Sequence, residues 1–307
     1  MAAETLHDVA VIGAGAAGVS AAVELYDVKL DVVVFEAAGQ VGGQIDQIPH
    51  EVRNLAPAPD GNRALVEALA RHASTLGDRL HLDEMVTRVD LATGLVDAGA
   101  RRFRARSVLM ASGSHRRELE NAPDGSFGGD VTYLVEPHVA RFAGRPMAVF
   151  GGGDSALLDA LELADTGSQV TLFHRSPHPT ARPDVAARVR SEGRITELAG
   201  WTIDSLVGSD HLERVDIVES SSGQHRQLEV AGLVLKLGRA HCVDLIRDQL
   251  ELGTHGGIVV DGDLRTSDPR TFAAGDVVEG AYERIATAIG QGSLAARSIL
   301  NCLASNQ

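Results

Sequence analysis

The sequence predicts an α/β fold in which a strand–turn–helix–strand unit occurs twice. Within residues 8–36, a short apolar run ends in glycines, small helix-favouring residues follow, and a second apolar strand ends at Glu36. The same order recurs over residues 146–175. Apolar strands of this kind are typical of parallel sheets that are covered on both faces. We therefore expect two Rossmann-like nucleotide-binding units in one chain.

The segments outside these units fit the same class. They predict a helix at 62–76, alternating strands at 81–98, a strand into a small-residue turn at 106–114, strands at 203–208, 213–219, 226–238 and 270–276, and a helix from about 284.

Length and charge narrow the possible functions. A chain of 307 residues suggests two domains, and 28 Lys plus Arg against 42 Asp plus Glu give a net charge of −14. That charge opposes binding to nucleic acid or to anionic membranes. No apolar run approaches the roughly 20 residues that span a bilayer, and residues 1–7 lack the basic and apolar segments of a signal peptide. We expect a cytoplasmic protein that binds neither nucleic acid nor membrane.

The cysteine content excludes two kinds of site. The two cysteines, Cys242 and Cys302, stand far apart in the sequence, so neither a local Cys-x-x-Cys redox pair nor a zinc site can be built from them. We expect buried or incidental thiols and no metal, with a disulfide between the two as the less favoured alternative.

The first glycine turn predicts a dinucleotide site. Gly13 permits a tight turn, Gly15 lets the backbone approach a pyrophosphate, and Gly18 allows the helix to pack closely on the strand. Glu36, at the tip of the next strand, would accept hydrogen bonds from an adenosine ribose. The alternative is a glycine-rich loop that serves packing alone.

The second glycine turn differs in an informative way. Gly151 and Gly153 repeat the pattern with Ala156 at the third position, but the following strand ends in Arg175 instead of an acid. Arg175 and Arg182 could neutralise a ribose 2′-phosphate, which favours NADPH over NADH. The alternative is that Arg175 is a solvated surface charge.

Several short motifs, together with the two glycine turns, give the chain a resemblance to the thioredoxin reductase family of flavoproteins over nearly its whole length. They are Gly-Gly-Gln at 42–44, the region of Asn54, Met-Ala-Ser-Gly at 110–113, Gly-Gly-Gly-Asp-Ser-Ala at 151–156, Phe-Ala-Ala-Gly-Asp at 272–276 and the stretch 283–292.

The resemblance implies a domain plan of the three-layer ββα type. Residues 1–116 and 245–307 would form an FAD domain, and residues 117–244 an inserted NAD(P)H domain. The family's hinges would lie near 115–118 and 243–246, and the protein would be a homodimer.

The resemblance also implies site residues, with Asp276 holding the ribityl chain and the last helix pointing at the flavin. Those for FAD are Gly13, Gly15, Ala16, Ala17, Gly18, Glu36, Gly43, Gln44, Asn54, Val86, Ala111, Ser112, Gly113, Gly275, Asp276, Arg284, Ile285 and Ala286. Those for NADPH are Gly151, Gly153, Asp154, Ser155, Ala156, His174, Arg175 and Arg182.

The departures from the family matter as much. Where thioredoxin reductases carry Cys-Ala-Thr-Cys, this chain has Leu134-Val135-Glu136-Pro137, so dithiol exchange with thioredoxin is excluded. Relatives without the pair include ferredoxin or flavodoxin NADP reductases, bacillithiol-disulfide reductases and flavin reductases of biosynthetic pathways. The chain ends soon after its last helix, without the extension of the ferredoxin reductases, and Ser176 replaces a second family arginine.

Three functions follow as hypotheses. The first is an FAD-dependent NAD(P)H oxidoreductase that passes hydride from NADPH to flavin, then electrons to a small-molecule or low-molecular-weight disulfide acceptor, without a protein dithiol. The second is a ferredoxin or flavodoxin NADP reductase, and the third is a non-catalytic flavin-binding sensor or interaction protein. Glu136 and His138 are candidates for a general acid or for substrate contacts, with loop capping as the alternative. His50 and Tyr133 are weaker candidates for lining the flavin cavity.

Overall fold

The computed structural model describes residues 5–48, 52, 54–55 and 61–305, except the side chains of residues 46 and 47. His50 therefore lies outside the described residues. Among the described helices, none combines the length and the apolar character that crossing a bilayer requires.

The described residues form both helices and strands, with runs of consecutive strands after α2 and after α6. In chain order they are β1 (Leu6–Ile12), α1 (Ala16–Asp27), β2 (Val32–Phe35), α2 (Gly61–Ala73), β3 (Leu80–His81), β4 (Val86–Asp90), β5 (Leu95–Ala98), β6 (Arg101–Met110), β7 (Ser114–Arg116), α3 (Ser126–Gly129), β8 (Val131–Thr132), α4 (Val139–Phe142), β9 (Met147–Phe150), α5 (Asp154–Asp165), β10 (Val170–His174), α6 (Pro183–Ser191), β11 (Ile195–Ala199), β12 (Trp201–Gly208), β13 (Leu212–Glu219), β14 (His225–Glu229), β15 (Leu233–Leu235), β16 (Arg239–His241), β17 (Thr271–Ala273) and α7 (Ile285–Ser305). Short 3-10 turns lie at Gly43–Gln47, Ser74–Arg79 and Glu136–His138.

The chain divides into two compact units, one of which is inserted into the other. The first runs to His115 and resumes at Ala240, and the second is Arg116–Arg239. The boundaries at 116 and 244 and the hinges near 115–118 and 243–246 stay predictions. Val243 and Ile246, within the second of these hinge regions, are buried in the core of the first unit.

The sheet of the first unit is built around the long strand β6. Strands β3, β2, β1, β6 and β17 run parallel. Strand β5 pairs antiparallel with the first half of β6, and β4 pairs antiparallel with β5. Ile12 pairs with both Phe35 and Met110, and Met110 pairs with Ala273. The carboxyl ends of four parallel strands therefore meet at one edge, which is where ligands bind in open α/β sheets.

The second unit contains a parallel sheet and a separate antiparallel one. The parallel sheet has the order β11-β10-β9-β15-β8, and β12, β13 and β14 form the other. Phe150 pairs with Phe173 and with Leu235, so the turn after β9 lies beside the ends of β10 and β15. The predicted α/β class with two Rossmann-like units is confirmed.

Two expectations about the second unit were wrong in detail. The predicted strand at 226–238 is two strands in different sheets, β14 and β15, because Ala231 and Gly232 interrupt it and let the chain change sheets. Helix α6 and strand β11 were not predicted. Helix α6 has three charged residues among nine, and β11 spans only five residues, so neither has a clear apolar periodicity.

The carboxylate of Glu279 stabilises the loop around His255 in the first unit. Glu279 accepts hydrogen bonds from the backbone N–H groups of His255 and Gly257, at 2.9 and 2.8 Å, and its Oε1 lies 2.8 Å from Nδ1 of His255. Burial opposes the ionisation of Glu279, but these hydrogen bonds and the His255 ring outweigh it and lower its pKa from 4.5 to about 2.

We expect Glu279→Gln to lower the free energy of unfolding by about 1–3 kcal/mol at neutral pH, since it weakens hydrogen bonds to a charged group. Because the folded-state pKa is depressed, this contribution is complete well above pH 4.5 and is lost as the pH falls through about 2. Urea unfolding of both proteins across this range measures it, with the exposed Glu251→Gln as control. A difference between Glu279→Gln and wild type that stays constant down to pH 2 would refute the assignment.

Candidate functional site

The carboxyl edge of the first sheet brings together most of the residues predicted to bind FAD. The turn at Gly13 follows β1, Glu36 follows β2, Ala111 follows β6, and Gly275 and Asp276 come shortly after β17. Parallel pairing of these four strands sets them side by side, although they come from opposite ends of the chain.

Gly13 is required by the fold itself. Its φ is +102°, and a Cβ at this position would overlap the backbone carbonyl oxygen of Ala111. Gly18 is restricted in a similar way, because a Cβ there would overlap the carbonyl oxygen of Gly13. These two glycines therefore allow the turn and the close packing of α1 on the sheet.

Gly15 is different, because no described residue requires it to be glycine. Its φ of −71° and ψ of −172° suit any residue, and, apart from its chain neighbours, no atom of the described residues lies within 4 Å of a Cβ built on it. Gly15 caps α1 without a side-chain hydrogen bond, so the first backbone N–H groups of this helix have no side-chain acceptor at the cap. An open cradle at an uncapped helix N-terminus fits the pyrophosphate of FAD.

Glu36 lies against the same turn. Its carboxylate accepts hydrogen bonds from the backbone N–H groups of Ala14, at 2.8 Å, and Ala38, at 3.0 Å. These bonds fix the carboxylate beside the glycine turn, and each oxygen keeps acceptor capacity for a ribose hydroxyl.

Gln44 connects two of the other predicted residues. Its Nε2 lies 3.3 Å from Oδ2 of Asp276 and 3.3 Å from Oγ of Ser114, and it is 3.5 Å from a Cβ built on Gly113. Gln44, Gly113 and Asp276 thus form one polar cluster at this edge of the sheet.

Sequence reasoning missed residues that support this cluster. Gln291 of α7 accepts a hydrogen bond from the N–H of Gly275 at 2.8 Å, and Nδ1 of His241 lies 2.7 Å from the carbonyl oxygen of Asp276. Ser112, itself one of the residues predicted for FAD, donates through Oγ to the carbonyl oxygen of Cys242 at 2.7 Å. The only sequence signal was a glutamine between glycines in the last helix.

The remaining residues predicted for FAD occupy varied places. Gly43 and Asn54 are exposed, Val86 is buried at the start of β4, and Ile285 begins α7. Ala16 and Ala17 are buried in the first turn of α1, and Ala286 is exposed in the first turn of α7. Arg284 lies over the ring of the exposed Tyr282, at 4.4 Å from its centroid.

In the second glycine turn, too, one glycine is required by the fold and another leaves space for a ligand. A Cβ on Gly151 would lie 2.7 Å from the carbonyl oxygen of Lys236 and 2.9 Å from Cβ of Ala156, so this glycine serves the fold. A Cβ on Gly153 would meet only Oγ1 of Thr180, at 4.0 Å. Gly153 caps α5 without a side-chain hydrogen bond, and this second open cradle fits the pyrophosphate of NADPH.

Some residues predicted to bind NADPH already have hydrogen-bond or ion-pair partners within the protein, whereas others are exposed. His174 is buried, and its two ring nitrogens lie 2.8 Å from the carbonyl oxygen of Ser176 and 3.0 Å from Oε1 of Glu197, which gives it a supporting place beneath the loop. Nε of Arg182 is 3.2 Å from Asp154. Arg175 is exposed, as is Ser155. Arg182 is exposed as well, so the two predicted cations differ in that Arg182 has a carboxylate partner and Arg175 has none among the described residues.

The catalytic candidates lie in the second unit. Glu136 and His138 are half-buried in the 3-10 turn Glu136–His138, and the His138 ring is 5.9 Å from that of Phe142. Tyr133 is buried and its hydroxyl bonds the backbone of Leu119 and Ala122, so it packs the core. Both cysteines are free thiols.

Comparisons with known proteins agree with this geometry. The family model described as pyridine nucleotide-disulphide oxidoreductase matches residues 7–292. The thioredoxin reductase of Mycolicibacterium smegmatis is 29% identical, covering 95% of either chain, and that of Listeria monocytogenes is 30% identical, covering 96% of this chain and 93% of its own. The solved thioredoxin reductase of Lactococcus lactis has a TM-score of 0.79 at 26% identity, covering 97% of this chain and 99% of its own. That of T. acidophilum has a TM-score of 0.77 at 25% identity, covering 99% and 100%.

Proposed function

Because the chain belongs to the pyridine nucleotide-disulphide oxidoreductase family, we propose that it takes hydride from NADPH through FAD and reduces a small-molecule or low-molecular-weight disulfide without a protein dithiol. The resemblance to thioredoxin reductases is confirmed. The chain is an FAD-dependent oxidoreductase of that kind, and the cofactors of the family are FAD and NADPH.

The proposal of a small disulfide as acceptor is based on the absence of the family's thiol pair. The relatives reported above are named for thioredoxin, and exchange with a protein disulfide needs an attacking thiolate and a resolving partner. This chain has only Cys242 and Cys302, which are far apart in sequence, and Cys302 is buried. A chain without a local pair is suited to acceptors that the flavin reduces directly.

The residues of the chain hold and orient the reactants in this proposal. Bound FAD would supply hydride acceptance and electron delivery. Gly15 and the start of α1 bind its pyrophosphate, Glu36 its ribose, and the Gln44–Asp276 pair its ribityl region. Gly153 and Arg175 hold NADPH, and Glu136 and His138 are the candidate proton donors.

Anaerobic titration of the flavin-loaded protein with NADPH and with NADH tests the donor half-reaction. We expect NADPH to bleach the visible flavin band faster than NADH, because Arg175 pairs with the 2′-phosphate. The reduced protein is then mixed with glutathione disulfide, thioredoxin or oxidised ferredoxin. Reoxidation by the small disulfide, retained when both cysteines are replaced by serine, supports the proposal. Reoxidation by ferredoxin alone would favour the electron-transfer alternative, and no bleaching would favour a non-catalytic flavoprotein.

Homodimer formation and a cytoplasmic location remain part of the proposal. Sedimentation of the purified protein tests the first.

A further inference from the structure

A largely buried ion pair lies in the second unit, on the helix that begins at the second glycine turn. Nζ of Lys236 is 2.8 Å from Oδ2 of Asp159 and donates to the carbonyl oxygen of Tyr133 at 2.7 Å. The side chains of Lys236 and Asp159 are only 17% and 8% exposed. Charges at such positions are screened by salt much less than charges in solvent.

Both partners belong to elements that form the second glycine turn. Lys236 follows β15 directly, and its N–H donates to the carbonyl oxygen of Phe150 at the end of β9. Its own carbonyl oxygen lies 2.7 Å from a Cβ built on Gly151. Asp159 lies on α5, six residues beyond the Gly153 cap, which is about 9 Å along the helix axis. A pyrophosphate on this turn would therefore be on the order of 10 Å from the carboxylate of Asp159.

The charged groups that face Asp159 give it an unusual proton affinity. Carboxylate oxygens of Glu136, from the 3-10 turn, and of Glu162, on the next turn of α5, lie within 4.8 Å of one on Asp159. Burial is the largest cause that raises the pKa of Asp159, and the ion pair with Lys236 opposes it. The charges of Glu136 and Glu162 raise it further, and the result is a pKa of about 6 instead of 3.8. Asp159 is thus mostly ionised at neutral pH and half protonated near pH 6.

An anion that binds near a buried carboxylate favours its protonated form. Even with the dielectric constant of water, the two negative charges of a pyrophosphate about 10 Å away raise the pKa by roughly half a unit. A carboxyl that is half protonated near pH 6 then takes up a fraction of a proton from solvent. A carboxylate of ordinary pKa would stay ionised throughout this range.

We propose that the binding of NADPH or NADP⁺ at the second glycine turn is coupled to the uptake of a proton by Asp159. This inference rests on the proposed function, since it requires the nucleotide at that turn. The proton comes from solvent and forms the O–H bond of the carboxyl, and no electrons move. Because the bound state has the higher pKa, the gain in affinity is absent well above pH 7 and complete well below pH 6, where it is about threefold.

Calorimetry of the flavin-loaded protein with NADP⁺ measures this proton. FAD occupies the first site, so NADP⁺ enters only the second, and the oxidised nucleotide cannot reduce the flavin. The binding enthalpy is measured at pH 6 and low ionic strength in buffers with different heats of ionisation, and its dependence on the buffer gives the protons taken up. We expect the wild type to take up about a quarter of a proton more per NADP⁺ than Asp159→Asn.

The comparison with Asp159→Asn removes the contributions of other groups. The 2′-phosphate of NADP⁺ titrates in the same range, and His174 lies beneath the turn, with its Cβ 3.3 Å from a Cβ built on Gly152. Protons exchanged by these groups are common to both proteins. Asp165→Asn is the matched control, because Asp165 is exposed at the end of the same helix and loses the same charge. Its proton uptake should equal that of the wild type.

Charge changes beside Asp159 give the coupling a direction. At pH 7, Glu162→Gln should reduce the uptake, because the loss of a negative neighbour moves the pKa of Asp159 further below this pH. Lys236→Met should increase the uptake, because the loss of the cation moves that pKa towards pH 7. A merely structural disturbance would not predict these opposite signs.

Infrared difference spectra on the addition of NADP⁺ at pH 6 give a second readout. A protonated carboxyl band should appear in the wild type and not in Asp159→Asn. Equal proton uptake by these two proteins, with NADP⁺ bound to both, would overturn the coupling and leave the proposed function intact. If Asp159→Asn does not fold, the absence of the carboxyl band in the wild type overturns the coupling by itself. A wild-type holoprotein that binds no NADP⁺ at any pH would instead refute the nucleotide site on which the coupling depends.

Discussion

A Gly15→Val variant is expected to fold normally and to purify without bound flavin. The backbone of Gly15 already has angles that valine adopts, and, apart from its chain neighbours, no atom of the described residues lies within 4 Å of its Cβ position. The added side chain would therefore point into the open space proposed for the pyrophosphate. An overpacking penalty of about 3 kcal/mol corresponds to a loss of flavin affinity of about 100-fold. NADPH oxidation should fall with the flavin content.

The ratio of flavin to protein absorbance after purification, followed by titration of the apoprotein with FAD, measures this effect. Gly262→Val is the matched control, because that glycine also has open space around its Cβ and no positive φ, but is not among the residues predicted to bind a cofactor. Gly13→Ala should behave differently again and destabilise the apoprotein, since its Cβ would overlap Ala111. Normal flavin content in Gly15→Val would exclude this turn as the pyrophosphate site.

Gly15 and Gly153, which have open space around their Cβ positions, show what the sequence could predict and why. Gly15 and Gly153 were found because strand, turn and helix follow one another within a short stretch, and local spacing is visible in a sequence. The motif also predicted different roles for Gly13 and Gly15, but the atoms that restrict Gly13 and Gly151, the carbonyl oxygens of Ala111 and Lys236, were not visible in the sequence. Whether a glycine serves packing or a ligand depends on atoms that arrive from distant strands.

The ion pair between Lys236 and Asp159, with 2.8 Å between Nζ and Oδ2, shows the opposite limit. Lys236 follows an apolar strand, but α5 carries three acidic residues besides Asp159, so the sequence does not single out Asp159 as its partner. The pair joins residues that are distant in the chain, through a strand order that the sequence does not specify. The division of residues 226–238 between two sheets could not be predicted either, because apolar and polar residues continue to alternate across the turn at Gly232.

An Arg175→Glu variant is expected to lose its preference for NADPH. Arg175 is exposed directly after β10, where the first unit carries Glu36 after β2. Across the part of the chain that the structure describes, no carboxylate lies within ion-pair distance of Arg175, whereas Arg182 is close to both Asp154 and Asp184, at 3.2 and 3.8 Å. The charge of Arg175 is thus the one that remains for a 2′-phosphate.

Replacing this charge with a carboxylate removes a charge-assisted hydrogen bond and adds repulsion, together about 3 kcal/mol, so kcat/KM for NADPH should fall about 100-fold. NADH has no 2′-phosphate, and its kcat/KM should change by less than about threefold. Arg226→Glu makes the same charge change at an exposed position of β14 in the same unit. This control distinguishes a direct contact with the phosphate from the effect of the protein's overall charge. Equal losses for NADPH and NADH would show that Arg175 supports the loop and does not read the phosphate. A loss confined to NADPH would assign the selectivity to this one side chain, because the carboxylate that selects NADH at this position in other Rossmann units is absent here.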